Sequence, residues 1–362
     1  MCVTSHISQS NLRQTNISCM ILCMKNIQTP KLNSIQALRG IACLFVILTH
    51  IEFIGVGAFG VELFFCISGF IMMYSTQKKE QPHFLLKRLI RIIPLYYFIT
   101  IVTLLAILFV PSMFQEVHFE WSFFFKSLCF IPFDITGQYT IQPLMRIGWT
   151  VNYEILFYLI FLVAMKINHQ HRGIIASIFI ITSSILHKTV SLANIPLYFY
   201  TNPIILEFMM GILIYYIYQF LKTKKEYLIS HSSISIILIL LIDSMFIYLC
   251  TIGVHAEIYE IQRVIHWGIP CAIIFLSSLL LEFYYQPPKF LIQLGNISFS
   301  VYLMHYYIIQ FIGRNVFDFS ILSTSSFIGA VLGILISILV GYSTWYYIEK
   351  KFTKCISNIL LK

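Results

Sequence analysis

The chain has 362 residues, 58% of them hydrophobic and 11% charged, with a mean hydropathy of +0.82. Soluble domains average roughly 45–50% apolar and about 25% charged residues, so a water-soluble fold cannot hide this much apolar surface and the surplus has to face lipid. A net charge of +9 would suggest nucleic acid in a soluble chain. Here Lys and Arg fall mostly between the apolar runs, so no nucleic-acid partner is expected and the charge reads as membrane orientation.

Residues 1–33 read as a cytoplasmic N-terminal segment. They are polar except for Met20 to Met24, too short an apolar run for the core of an export signal. Met24 begins MKNIQTPKLNSIQALRG, which reads as a natural start and makes 1–23 an upstream extension. The nine cysteines form no framework, and most lie alone inside apolar spans, where Cys behaves as a small hydrophobe. Cys19 and Cys23 lack further ligands at zinc spacing, so no metal is expected. A spanning helix needs about 20 apolar residues. Ten runs qualify: Leu38–Ile54, Gly57–Thr76, Ile92–Met113, Gly148–Lys166, Gly173–His187, Leu197–Phe220, Ser232–Cys250, Val264–Phe283, Ile297–Phe317 and Ser326–Ile348. The expected fold is an all-α polytopic membrane bundle of about ten transmembrane helices over 34–349, with 350–362 as a cytoplasmic tail. If the N-terminus is cytoplasmic, 19 of the 24 Lys and Arg residues fall on the cytoplasmic side, as the positive-inside rule requires. The longest outer loop, Phe114 to Ile147, is rich in Phe and Trp, which suits an interfacial or capping segment.

Arg39 and His50 share the first span. Eleven residues at 100° each return to within about 20° of one face and rise about 16.5 Å. Arg39 is either a snorkelling anchor or a functional cation. His50 is either a packing histidine or a base able to work near neutral pH. The second span reads GVELFFCISGF, where Gly60 and Gly69 permit close helix approach. Gly55, Gly57 and Gly60 spell G-x-G-x-x-G, but no strand precedes them, which excludes a dinucleotide site. Glu62 suits either a partner for a helix N-terminus or a site role. In KKEQPHFLLKRLIRIIPLYY, Arg88 and Arg91 share a helix face, with Lys87 four residues from Arg91. They are either positive-inside anchors or a cradle for a phosphorylated donor, to which the planar guanidinium is suited. Pro94 is expected in the first turn of the third span, where proline is tolerated.

The fourth span opens GWTVNYEILFY, with Thr150, Glu154 and Tyr158 on one face. Glu154 lies roughly 9 Å below the outer surface at helical rise, a depth compatible with His50. It is either an interhelical hydrogen bond or the acid that orients His50 as a base. In GNISFSVYLMHYY, Ser298, Tyr302 and His305 fall on one face, so His305 reads as a donor or acceptor contact or as a structural histidine. Glu207 is expected to pair with a neighbouring helix, and Glu349 to make a surface ion pair or loop tie.

Taken together and in this order, Arg39-x10-His50, GVELFFCISGF, R-x-x-R at Arg88 and Arg91, W-T-x-x-Y-E ending at Glu154, and GNISFSVYLMH resemble the acyltransferase-3 family of integral membrane acyltransferases, from about Ser34 to Glu349. The resemblance implies acyl transfer, often of acetyl, from acyl-CoA to a hydroxyl of a cell-envelope or exported carbohydrate such as lipopolysaccharide O-antigen or exopolysaccharide, in the bacterial inner membrane. It implies His50 as catalytic base with Arg39 in support, Arg88 and Arg91 on the donor phosphates, and no metal. Glu154 is expected as the third catalytic residue, and Glu62, Tyr302 and His305 as acceptor contacts. The family more often has Asp where this chain has Glu62. Some members carry an attached extracytoplasmic hydrolase-like domain for which this chain has no room, so it is expected to act alone or with a separate partner. The rival reading is a polytopic transporter or flippase of an envelope glycan precursor. That reading predicts inverted repeats and broken helices in matching halves, and no such pair is evident.

Overall fold

The computed structural model describes residues 31–361 apart from 53, 79–81, 112–118, 139, 254–259 and 314–325. The expected extension 1–23 and its cysteines lie outside the described residues. The apolar runs of the sequence become helices, because in lipid a helix satisfies its backbone polar groups within the segment. In chain order these are α1 (Asn33–Thr49), α2 (Gly60–Ser75), α3 (Phe84–Phe109), α4 (Trp121–Leu128) and α5 (Trp149–Ile167). Then follow α6 (Arg172–Leu186), α7 (Ile195–Thr201), α8 (Leu206–Lys222), α9 (Lys225–Ser230) and α10 (Ser233–Gly253). The chain closes with α11 (Glu260–Arg263), α12 (Ile269–Leu281), α13 (Lys289–Gly313), α14 (Phe327–Thr344) and α15 (Thr353–Leu360). A π-turn at Val264–Gly268 joins α11 to α12, and another at Trp345–Phe352 joins α14 to α15. Among the described residues there is no β-strand, and Asp134 and Ile141 form an isolated bridge.

Among the described residues, six helical segments are long and apolar enough to cross a membrane: Phe84–Phe109, Arg146–Ile167, Ile195–Lys222, Ser233–Ile252, Glu260–Leu281 and Phe327–Leu360. The apolar helices α1 and α2 are shorter, at 17 and 16 residues. On α3, Phe98, Ile101, Val102, Leu105 and Leu108 are exposed at the spacing of one helix face, a stripe for which lipid is the matching solvent.

Several boundaries differ from expectation: α1 ends at Thr49, short of the expected Ile54, and α13 begins at Lys289, ahead of the expected Ile297. Helix α3 begins at Phe84, so Pro94 lies in its interior. The basic stretch Lys87–Arg91 is itself helical, and the proline removes one backbone hydrogen bond rather than starting the span. The span expected over Leu197–Phe220 is broken at Asn202–Pro203. A residue before proline is pushed out of the helical region, and the Asn202 Oδ1 accepts from the Ile204 amide at 3.0 Å to open the next segment. The aromatic loop does cap the end of α3. Phe123, Phe133, Ile135 and Leu144 bury against Leu104 and Ile107, while Trp121 and Phe125 stay exposed.

The inner bundle depends on backbone-to-backbone approach. A Cβ on Gly295 of α13 would stand 1.7 Å from the Gln36 carbonyl oxygen of α1. Likewise, Cβ atoms on Gly69 of α2 and Gly211 of α8 would each stand 2.0 Å from a carbonyl oxygen of the other helix. The expected role of Gly60 holds too, since a Cβ there would lie 2.4 Å from the Ala42 carbonyl oxygen. Along the α1–α13 seam the partners keep one offset. Gly40 meets Gly295, the Cys43 thiol donates to the Ser298 carbonyl at 3.5 Å, and His50 meets His305. The two helices therefore run parallel in fixed register.

Gly295→Ala is expected to lower stability by about 2–3 kcal/mol, the cost of overpacking a tight contact. Thermal unfolding of the detergent-purified protein would show it as a lower midpoint. Gly333→Ala is the control: its nearest neighbour is 3.9 Å from the added carbon, and its midpoint should not fall.

Candidate active site

Helices α1, α2, α3, α5 and α13 surround a cavity of about 70 Å³. Its charged lining is Arg39 from α1, Arg88 and Arg91 from α3, and Glu154 from α5. The α5 stripe foreseen from helical spacing is present entire, for Thr150, Glu154 and Tyr158 all line the cavity. Tyr302 of α13 and the α2 side chains Phe64, Phe65, Ser68 and Ile71 complete the wall. The Tyr158 hydroxyl donates to Glu154 Oε1. Arg88 Nη2 donates to Ser75 Oγ at 2.9 Å, and its guanidinium lies 5.7 Å from the Phe84 ring centre. Lys87 is exposed and does not line the cavity. Three guanidiniums therefore face one carboxylate, an excess of positive charge in a largely apolar chamber. Charges inside spans are expensive and mark sites. This combination suits an anion with several oxygens.

His50 lies outside this cavity. Helix α1 ends at Thr49, and His50 occupies the turn that follows, half-buried. Its Nδ1 is 3.0 Å from the Val46 carbonyl oxygen and 3.3 Å from His305 Nε2. The Tyr306 ring stands edge-on to His50 at 5.2 Å. Arg146 Nη1 donates to the Tyr306 hydroxyl at 2.8 Å, and Arg146 is exposed. No hydrogen bond joins Glu154 to His50, so the expected acid–histidine pair is not formed. A shared depth fixed neither the azimuth of α5 nor the side of α1 that His50 faces.

Between cavity and histidines stands Tyr302. Its hydroxyl shares a 3.0 Å hydrogen bond with Thr150 Oγ1, and its carbonyl oxygen lies 2.5 Å from His305 Nδ1. His305 is fully buried. Glu62 is also fully buried, and its Oε1 accepts from Arg263 Nε. That guanidinium is held between Trp149 and Trp267, with ring centres 5.5 and 5.0 Å away. Of the three residues expected at the acceptor, then, Glu62 and His305 have no exposed face and Tyr302 belongs to the cavity wall. Glu207 is likewise buried, with both carboxylate oxygens lacking a hydrogen-bond partner among the described residues. Glu349 accepts from the buried Ser300 hydroxyl at 2.8 Å, a tie between α13 and the second π-turn.

The model of a family described as an acyltransferase domain matches residues 32–346. The chain belongs to the acyltransferase-3 family. Among curated relatives of this acyltransferase-3 chain, the exopolysaccharide production protein ExoZ of Rhizobium meliloti (strain 1021) is 32% identical over 161 residues, 44% of this chain and 50% of ExoZ. The O-acetyltransferase OatA of Staphylococcus aureus (strain NCTC 8325 / PS 47) is 27% identical over 314 residues, 78% of this chain and 51% of OatA. The chain thus spans about half the length of the curated relatives it matches. No solved structure matches it.

Sequence reasoning passed over three residues near the site. Tyr306 was read only as part of a motif, although it follows His305 directly. Arg146 and Arg263 are two of the five Lys and Arg residues left on the outer side by the charge count, and each lies within four residues of a Trp at a helix end. The Glu62–Arg263 pair gives a direct test. Removing one partner of a buried pair costs about 3–5 kcal/mol, because the other charge is stranded. Arg263→Met should therefore lower the thermal midpoint sharply, and Glu62→Leu in the same chain should recover most of the loss. If the double variant is no better than the single one, the pair does not hold these helices.

Proposed function

We propose that the chain transfers an acyl group, acetyl in the first instance, from acyl-CoA to a hydroxyl of a cell-envelope or exported carbohydrate. The observation that carries this reading is the cavity that gathers Arg39, Arg88, Arg91 and Glu154 inside an apolar bundle. The names of the relatives, an exopolysaccharide production protein and an O-acetyltransferase, support the acceptor class. In this reading the bundle crosses the bacterial inner membrane ten times, with both termini in the cytoplasm. The support is the charge bias of the loops, beside six segments among the described residues that are long and apolar enough to cross a membrane.

The donor enters from the end of the bundle where α3 begins. A cavity of about 70 Å³ has room for roughly five waters, enough for the thioester end of the donor and too little for its nucleotide. Arg88 and Arg91 hold phosphate oxygens near the mouth. Arg39 lies beside them, and Glu154, tied to Tyr158, keeps the basic cluster in place. The acceptor reaches His50 from the opposite end, past Tyr306 and Arg146. His50 takes the proton of the sugar hydroxyl at Nε2. The hydroxyl oxygen bonds to the thioester carbonyl carbon, the C–S bond breaks, and the CoA thiolate leaves and takes a proton from water, which is made good by the proton His50 releases, so the base is regenerated. For the thioester to meet the hydroxyl, Tyr302 has to release Thr150 and turn aside. No step requires a metal.

Purified full-length protein, given labelled acetyl-CoA and glycans isolated from the envelope, should transfer label to the glycan. His50→Ala should lose about a hundredfold or more, as loss of a general base does. Arg88→Ala and Arg91→Ala should each raise the KM for acetyl-CoA about tenfold, in line with one charge-assisted hydrogen bond. His231→Ala, at an exposed histidine bonded to Ser230 and Tyr227, should not differ from the parent. Uptake of a glycan precursor into vesicles with no acyl chemistry would replace this reading with transport.

A further inference from the structure

The histidine pair carries an inference that rests on the reading of His50 as base. A carbonyl oxygen has lone pairs and no hydrogen to give, so a ring nitrogen at hydrogen-bond distance from one has to carry the proton. His305 Nδ1 lies 2.5 Å from the Tyr302 carbonyl oxygen and is therefore an N–H donor. In the neutral ring its Nε2 is then a lone pair, and that lone pair lies 3.3 Å from His50 Nδ1. His50 Nδ1 also lies 3.0 Å from the Val46 carbonyl oxygen, so it too carries a proton, shared between two acceptors. The proton count is complete only one way: His50 keeps its hydrogen on Nδ1 and presents a lone pair at Nε2. Nε2 has no hydrogen-bond partner among the described residues. The charged or titratable side chains facing His50 are His305 and Tyr306 from α13, and Arg146 from the turn before α5.

We propose that His305 is a positioning residue that fixes His50 in the tautomer able to take a proton at Nε2, acting through a neutral imidazole where an acid was expected from the sequence. When Nε2 takes the acceptor's proton, His50 becomes an imidazolium whose Nδ1–H points at a ready lone pair. The positive charge is met by hydrogen bonding to the Val46 carbonyl and to His305, with no carboxylate hydrogen-bonded to the ring among the described residues. His305 is itself held by its bond to the Tyr302 carbonyl and by burial, and the α1–α13 seam delivers it. Gly40 against Gly295, Cys43 against Ser298 and His50 against His305 are successive steps of one register.

Two amides separate positioning from packing. In His305→Asn the side-chain amide occupies the place of Nδ1 and can still donate to the Tyr302 carbonyl, but it falls short of His50. In His305→Gln the amide reaches the place of Nε2 and its oxygen can accept from His50. Both full-length variants are purified and assayed with labelled acetyl-CoA and envelope glycan, and their thermal midpoints are measured alongside. The Asn variant should lose about ten- to a hundredfold in kcat, the range for partners that orient an active histidine, with KM for acetyl-CoA within about twofold. The Gln variant should recover to within about threefold of the parent. Equal kcat in the two variants, or a faster Asn variant, would overturn the proposal and leave His305 as a structural group. A His50→Ala chain that still transfers acyl at the parent rate would instead remove the base reading, whatever the His305 variants do.

Discussion

A charge inside the hydrocarbon layer has to be matched by a partner, a ligand or water, because the medium offers nothing else. The arrangement of this bundle follows from that constraint. Arg263 is matched by Glu62 and clasped by two tryptophans. The three arginines of the central cavity are different, since its lining holds a single carboxylate and that carboxylate is already engaged by Tyr158. Their excess charge is what a polyphosphate donor would complete. The same charge would make an empty cavity costly to keep without water in it.

Beyond Tyr302 the chemistry changes from charged to neutral. Thr150, Tyr302, His305 and His50 form a sequence of neutral contacts leading from the arginine chamber to the turn after α1. In the proposed reading this separates a basic donor site from an imidazole that acts as a base while uncharged, and it limits how far the guanidiniums disfavour protonation of that ring. On that reading the separation requires a movement, since the Tyr302 hydroxyl is held by Thr150 between the two groups. The seam between α1 and α13 makes the histidine end rigid. Two glycines bring the backbones into contact, and ten residues further along the chain from each, His50 in the turn after α1 meets His305 on α13.

Much of this was legible from residue spacing. Thr150, Glu154 and Tyr158 were placed on one face by helical periodicity, and all three line the cavity. Arg88 and Arg91 were placed on one face in the same way, and both point inward while Lys87 does not. Periodicity failed at His50 because the helix stops one residue before it, so the face computed from Arg39 no longer applied. It failed for the Glu154–His50 pairing because depth along a helix says nothing about which neighbour it faces. The Arg263–Glu62 contact joins residues 201 apart, and no local pattern signals such a pair. Pro94 and Pro203 were visible in the sequence. Their consequences depended on where the helices began, and there the basic stretch ahead of Pro94 proved helical.

The most direct test of the central claim is a cryo-electron microscopy structure of the full-length protein with bound CoA. The account predicts density for the diphosphate within hydrogen-bond reach of Arg88 and Arg91, and the sulfur turned toward Thr150 and Tyr302. CoA bound on another face of the bundle, with the arginine cavity unchanged, would contradict it.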